Sequence, residues 1–154
     1  MKLKKLTDAE LAVHNADINT LPYKGLLGIS TETLNRIGLG KNMIINKKDI
    51  DRSLNGGEVF PVAGGLVVIN TPGHTPGSIS LFSPDYKILF AGDLINNRYG
   101  HLRIPYDIIN NNTEQVIKSI RRIADLDFDI LCVGHGKPLF KDASPAVGNL
   151  LKSL

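Results

Sequence analysis

From Asp49 onward, apolar residues gather in short runs broken by glycine and proline, the pattern of a strand-rich sheet. Residues 58–62 and 66–70 are two such runs, and Ala63-Gly64-Gly65 between them signals a hairpin. The stretch Thr71-Pro72-Gly73-His74-Thr75-Pro76-Gly77 follows, where two prolines and two glycines forbid a regular element and force a shaped loop. Residues 79–82 and 87–90 predict a second strand pair around Ser83-Pro84-Asp85, and Asp93 comes directly after Ala91-Gly92.

The pattern then changes period. Val116, Ile117, Ile120, Ile123 and Ala124 recur on one helical face, which predicts a helix over 113–124. Asn112 is placed to cap it, with Gln115 three residues on as in a capping box. Arg121 and Arg122 suit the dipole at its end. Residues 129–133 predict a short buried strand, closed by the tight loop Gly134-His135-Gly136. Upstream the signal is weaker. Residues 7–22 predict a short strand around 11–14 and then a helical turn, and residues 23–46, broken by Gly25, Gly28, Gly38 and Gly40, predict a long loop or a pair of short helices. Strands, one strong helix and a last strand describe an α/β or α+β sheet layer.

Composition narrows the class. At 42% hydrophobic and 21% charged, the chain has the apolar content of a folded domain rather than of a disordered one. No repeat or low-complexity tract divides its 154 residues, so residues 1–154 are read as a single domain. The net charge of +3 is dispersed, with its densest basic stretch at residues 1–5, and aromatics are thinly scattered; this excludes a nucleic-acid surface. No apolar run has the length of a transmembrane helix, and no signal-peptide core follows Lys5. Cys132 is the only cysteine and is read as a small hydrophobe in its strand, which fits a reducing, cytoplasmic setting.

Three residues carry candidate chemistry. His74, Asp93 and His135 each lie in a glycine-containing loop just after an apolar strand, and strands of one sheet can bring such loops to a common edge. Imidazole nitrogens and a carboxylate are ligand types that zinc and iron accept. For each residue alone the plainer reading is a solvated loop side chain.

The run VINTPGHTPGSISLFSPDYKILFAGDLI (residues 68–95), followed by DILCVGHGKPL (residues 129–139), resembles the metallo-β-lactamase superfamily. TPGHTPGS is similar to its third metal motif, AGD to its fourth and GHG to its fifth, in the same order and with the same helix before the last. VFPVAGGLVVIN (residues 59–70) and LTDAELAVHNAD (residues 6–17) extend the resemblance over nearly the whole chain. It implies that His74 binds one metal ion, Asp93 bridges two, and His135 binds the second, with zinc, iron or manganese as cofactor. An aspartate in the fourth motif points to the broad branch of thioesterases, lactonases and glyoxalase II-like hydrolases, although the GHG form departs from the usual glyoxalase II version. The implied fold is the C-terminal lobe of an αββα sandwich, a mostly antiparallel or mixed sheet with flanking helices.

One signature of that family is absent. Its His-x-His-x-Asp-His motif supplies further ligands and the residue that orients the attacking water, and the four histidines here, His14, His74, His101 and His135, do not form it. The resemblance therefore implies a truncated domain without the first lobe, with weak metal binding and little hydrolysis by this chain alone. It also implies a homodimer in which a second copy covers the exposed sheet face. The alternative is a non-catalytic, self-associating module. A small-molecule ester, thioester or lactone is the expected substrate if the chain is active. His14 and Asp17 are read as a strand end and a helix N-terminal carboxylate. His101, Tyr99 and Tyr106 fall in the 96–107 loop that borders the substrate pocket in the family, where contact with substrate and plain solvation are both open readings.

Overall fold

The computed structural model describes residues 2–18 and 47–154, in two compact units, Met1–Leu54 and Asn55–Leu154. The loop or helix pair predicted for residues 23–46 lies outside the described residues. The first unit holds α1 (Lys2–Thr7), β1 (Ala12–His14), α2 (Asn15–Ile18) and β2 (Arg52–Leu54). The predicted strand and helical turn are therefore β1 and α2. β1 and β2 pair in parallel, Ala12 opposite Arg52 and His14 opposite Leu54. Asp51 fastens the start of this pairing: its carboxylate accepts from the Leu11 backbone N–H at 2.8 Å and pairs with Lys4. These two contacts hold its carboxyl below the usual carboxylate range.

In chain order the second unit runs β3 (Val59–Phe60), β4 (Leu66–Asn70), β5 (Ile79–Ser83), β6 (Ile88–Gly92), β7 (Asn96–Arg98), β8 (His101–Arg103), α3 (Thr113–Ala124), β9 (Ile130–Val133) and α4 (Ala143–Lys152). Five strands form one mixed sheet in the order β3-β4-β5-β6-β9. The first four are antiparallel neighbours, while β9 lies parallel to β6. A parallel neighbour requires a crossover, and the segment carrying α3 supplies it. β3 is shorter than the predicted run because Pro61 cannot donate to a strand ladder.

Leu89, Ala91 and Leu131 of the sheet, Val116, Ile120 and Ile123 of α3, and Ala143, Val147 and Leu150 of α4 form one buried cluster. Both helices thus bury their apolar stripes against the sheet. α3 has the predicted limits, and Asn112 Oδ1 accepts from the Gln115 N–H at 2.9 Å. Replacing Asn112 with alanine is expected to lower stability by about 1 kcal/mol, the usual worth of an N-cap. Urea unfolding checks this, and an unchanged midpoint would show the cap to be idle.

Two further features depart from the sequence expectation. α4 is not predicted, although Ala143, Val147 and Leu150 stand at helical spacing; Pro145 reads as a breaker but lies in the first turn, where the missing N–H costs nothing. The segment read as a loop over 96–107 contains the β7–β8 hairpin, turned by Tyr99 and Gly100 at φ +54° and +86°. Such a two-residue turn with both φ positive matches the twist of paired strands.

Candidate metal centre

Strand direction decides where the three candidate residues meet. β4 and β6 are both antiparallel to β5 and so run the same way, and β9 runs parallel to β6. The carboxyl ends of β4, β6 and β9 therefore open on one edge of the sheet, the edge where open sheets with helical crossovers place ligands. His74, Asp93 and His135 follow those three ends.

The structure brings them together around one carboxylate. His74 Nε2 lies 3.6 Å from Asp93 Oδ2, and His135 Nε2 lies 3.5 Å from Asp93 Oδ1. Both separations are long for a hydrogen bond. Two donors bound to one tetrahedral ion at usual ligand distances stand about 3.3 Å apart, so each imidazole–carboxylate gap has the width an ion needs. The two histidines address different oxygens, which is the geometry of a bridge between two positions. Among the described residues, no group of three or more His, Cys, Asp or Glu side chains converges on a single ion position. The donor set thus fits divalent metal in type and spacing, with two protein donors at each position where a catalytic zinc has about three.

Local structure explains how each side chain is held. The His74 loop is docked on the start of α3: Asn111 and Asn112 donate backbone N–H groups to His74 O and Gly73 O at 3.1 and 2.8 Å, and Ser119 Oγ donates to Pro72 O at 2.7 Å. His74 Nδ1 stands 3.2 Å from Asn110 Oδ1. Asn110 Nδ2 is committed as donor to Pro105 O and Thr113 Oγ1. The oxygen facing His74 therefore requires N–H at Nδ1, so Nε2, on the Asp93 side, is the ring nitrogen that can serve as a metal donor.

Asp93 follows a β-bulge at Phe90–Gly92, a device that re-aims the next side chain. The glycines around His135 are needed for close approach. A Cβ at Gly134 would lie 2.1 Å from Asp93 Oδ1, and one at Gly136 would lie 1.9 Å from Asn97 O. Asn97 also clamps this loop, its N–H donating to His135 O at 2.9 Å and its Nδ2 to Lys137 O at 2.7 Å. His74 is the most enclosed of the three, with 20% of its side chain exposed, while Asp93 and His135 are 40% and 74% exposed. The centre is therefore open on the His135 side.

Asn110 and Asn97 are positioning residues that the sequence reading missed. Their partners stand 36 and 40 residues away in the chain. The only available signal was the asparagine run just before the α3 cap. Beside His135 lies a cavity of about 330 Å³ lined by Asn96, Asn97, Arg98, Arg103, Tyr106 and His135 among others. Tyr106 is thus a cavity residue. Tyr99 sits fully exposed at the hairpin tip, and His101 lines a different hollow, with Leu102 and the α4 end. His14 closes β1 in the first unit, where its Nδ1 accepts from the Ala16 N–H at 3.2 Å. Cys132 is half-buried in β9, and burial pushes its thiol up, away from the thiolate that a ligand or nucleophile needs.

A five-stranded mixed sheet backed by two helices thus carries His, Asp and His at one carboxyl edge. The family model of the metallo-beta-lactamase superfamily matches residues 1–135, and the chain belongs to that superfamily. Among curated relatives, the probable metallo-hydrolase YflN of Bacillus subtilis is 34% identical over 101 residues, covering 56% of this chain and 38% of that protein. A hydroxyacylglutathione hydrolase of Brucella ovis is 49% identical over 47 residues, 30% of this chain and 18% of that one. The chain thus spans well under half the length of the curated relatives it matches. Among solved structures, the archaeal superfamily protein ST1585 from Sulfolobus tokodaii superposes with a TM-score of 0.73 at 19% identity, over 99% of this chain and 60% of that one. TTHA1623, solved in a di-iron-bound form, gives 0.66 at 22% identity, over 99% and 66%. At such identities these superpositions establish the fold. Among the described residues no helix is long and apolar enough to cross a membrane.

Proposed function

We propose that this chain carries the bridging half of a binuclear metal centre in a hydrolase of acyl substrates, with a thioester favoured over an ester or lactone. The observation that carries the reading is the Asp93 carboxylate, flanked by one histidine nitrogen at each oxygen at ion-accommodating distance. The local match to a hydroxyacylglutathione hydrolase supports the thioester choice. His74 with Asp93 Oδ2 would hold one ion, and His135 with Asp93 Oδ1 the other. Divalent ions there would polarise an acyl carbonyl and lower the pKa of water toward neutrality. Asn110 fixes the ring of His74 and Asn97 fixes the loop of His135, so the chain's own contribution is orientation of ligands. The open His135 side, continuous with the cavity at Arg103 and Tyr106, is where the acyl group would sit.

With two protein donors per position, binding is expected to be weak and hydrolysis by the chain alone slow. The expected result is uptake of up to two zinc, iron or manganese ions per chain, together with slow hydrolysis of a simple S-acyl thioester that chelator abolishes. No uptake at millimolar metal, with the protein still folded, would overturn the reading. It would favour a non-catalytic module instead, for which the specific argument is that, among the described residues, each position has two protein donors.

A further inference from the structure

We propose that Asn55 is a site of spontaneous modification, a deamidation through its bond to Gly56, and that the Glu58 carboxylate holds this reaction in check in the folded chain. Asn55-Gly56 is the only Asn-Gly pair in the sequence, and Asn55 lies exposed at the start of the second unit. An asparagine amide is attacked most readily by the backbone nitrogen of a following glycine, because no side chain screens that nitrogen. The reaction needs only water. Gly56 N loses its proton and bonds to Asn55 Cγ, the Cγ–Nδ2 bond breaks, and the amide nitrogen leaves with that proton as ammonia. Water then opens the cyclic imide at either carbonyl and leaves an aspartyl or an isoaspartyl residue.

The fold requires glycine at the second position of this pair. Gly56 stands at φ +93°, and a Cβ there would lie 2.3 Å from Asn70 Oδ1. Asn70, at the end of β4, occupies that space and its Nδ2 donates to Asn55 O at 2.7 Å. The labile bond is therefore built into the packing, and a neighbouring charge is what restrains it. Glu58 Oε1 accepts from the Asn55 N–H at 2.7 Å, and Oε2 accepts from the Gly56 N–H at 2.8 Å. Hydrogen bonds to an ionised acceptor are among the stronger kinds, and a negative charge so close opposes loss of the Gly56 proton. The nitrogen is kept in its unreactive N–H form. Glu58 is itself fixed: the Val68 N–H donates to Glu58 O and the Gly57 N–H to Val68 O, both at 2.8 Å. Conversion would set a second carboxylate beside Glu58 and, as isoaspartate, lengthen the backbone where the Asn70 side chain is anchored, just ahead of the His74 loop.

The whole chain is held at mildly alkaline pH and physiological temperature, folded or in concentrated urea, and conversion is followed by peptide mapping with mass spectrometry. Conversion at Asn55 is expected to be at least about ten-fold slower in the folded chain than in urea, the worth of a hydrogen bond to a charged group. This comparison needs no variant. Glu58→Gln, which keeps the size and loses the charge, should recover much of that factor in the folded chain and change nothing in urea. Adding Asn55→Gln to it should silence the signal. Amide hydrogen exchange separates the charge from general loosening: in Glu58→Gln it should quicken at Asn55 and Gly56 but not at Gly57, whose N–H is donated to Val68 O. A folded parent that converts as fast as in urea, a Glu58→Gln chain no faster than the parent, equal quickening at Gly57, or conversion centred on another asparagine would each overturn the proposal.

Discussion

In the proposed centre, Asp93→Asn is expected to abolish metal uptake at both positions, whereas His74→Ala and His135→Ala should each abolish it at one. The asymmetry follows from geometry. Each histidine nitrogen faces its own Asp93 oxygen, at 3.6 and 3.5 Å, so the carboxylate alone belongs to both positions. Asparagine keeps the shape but loses the charge and one of the two oxygens, and an amide is a poor substitute for a carboxylate on zinc or iron. With two protein donors per ion, loss of either should drop affinity beyond detection at the metal concentrations that load the parent. The fold should survive. Asp93 is 40% exposed and is no buried charge whose partner would be stranded, so the stability change is expected to stay within about 1 kcal/mol. Metal content by atomic emission, after dialysis against a fixed free-metal buffer, reads the stoichiometry directly. A His135→Ala variant that loses nothing, beside a His74→Ala variant that loses everything, would reduce the centre to one ion and sink the bridge.

A large loss of stability is expected from Gly73→Ala. Gly73 stands at φ +138°, and a Cβ there would lie 2.4 Å from Val116 N and 2.7 Å from Val116 Cγ2. The helix backbone cannot retreat, because Val116 is fully buried in the core beneath α3. Backbone strain at such a φ costs on the order of 1–3 kcal/mol, and overpacking a well-filled core costs a similar amount. A loss of about 3 kcal/mol is therefore expected, a large share of a typical domain's stability. Gly100→Ala separates the two contributions. Gly100 also has positive φ, +86°, yet a Cβ added there would meet nothing within 4 Å, so it should lose only the strain part. Urea unfolding midpoints give both values. Equal losses for the two variants would remove the close approach of Gly73 to α3 from the account. Because Gly73 immediately precedes His74, the same substitution should weaken the first metal position, a loss that Gly100→Ala should not share.

Much of the fold could be read locally. The strands from residue 59 onward and the α3 helix follow from apolar period and from the Pro–Gly punctuation, which act within a few residues. α4 escaped because its spacing is diluted by Pro145 and Gly148, and β7–β8 because a Tyr-Gly turn is a weak signal beside the usual Asn-Gly. The TPGHTPGS, AGD and GHG segments marked His74, Asp93 and His135 as candidates, since each combines a ligand-type residue with glycines that permit close approach.

The sequence by itself determined the strands β4, β5, β6 and β9 with the α3 helix between the last two, the three loop-borne candidates and, through their motifs, the superfamily. Tertiary structure decided the rest. Only the strand order β3-β4-β5-β6-β9 places three carboxyl ends on one edge, and only there do two imidazoles meet opposite oxygens of one carboxylate. The Asn110 and Asn97 contacts and the gathering of two arginines in one cavity were likewise decided there. The physical reason is range. Propensity and turn chemistry are set by neighbours along the chain, whereas hydrogen bonds and charge pairing between residues dozens of positions apart exist only once packing has fixed which strands lie side by side.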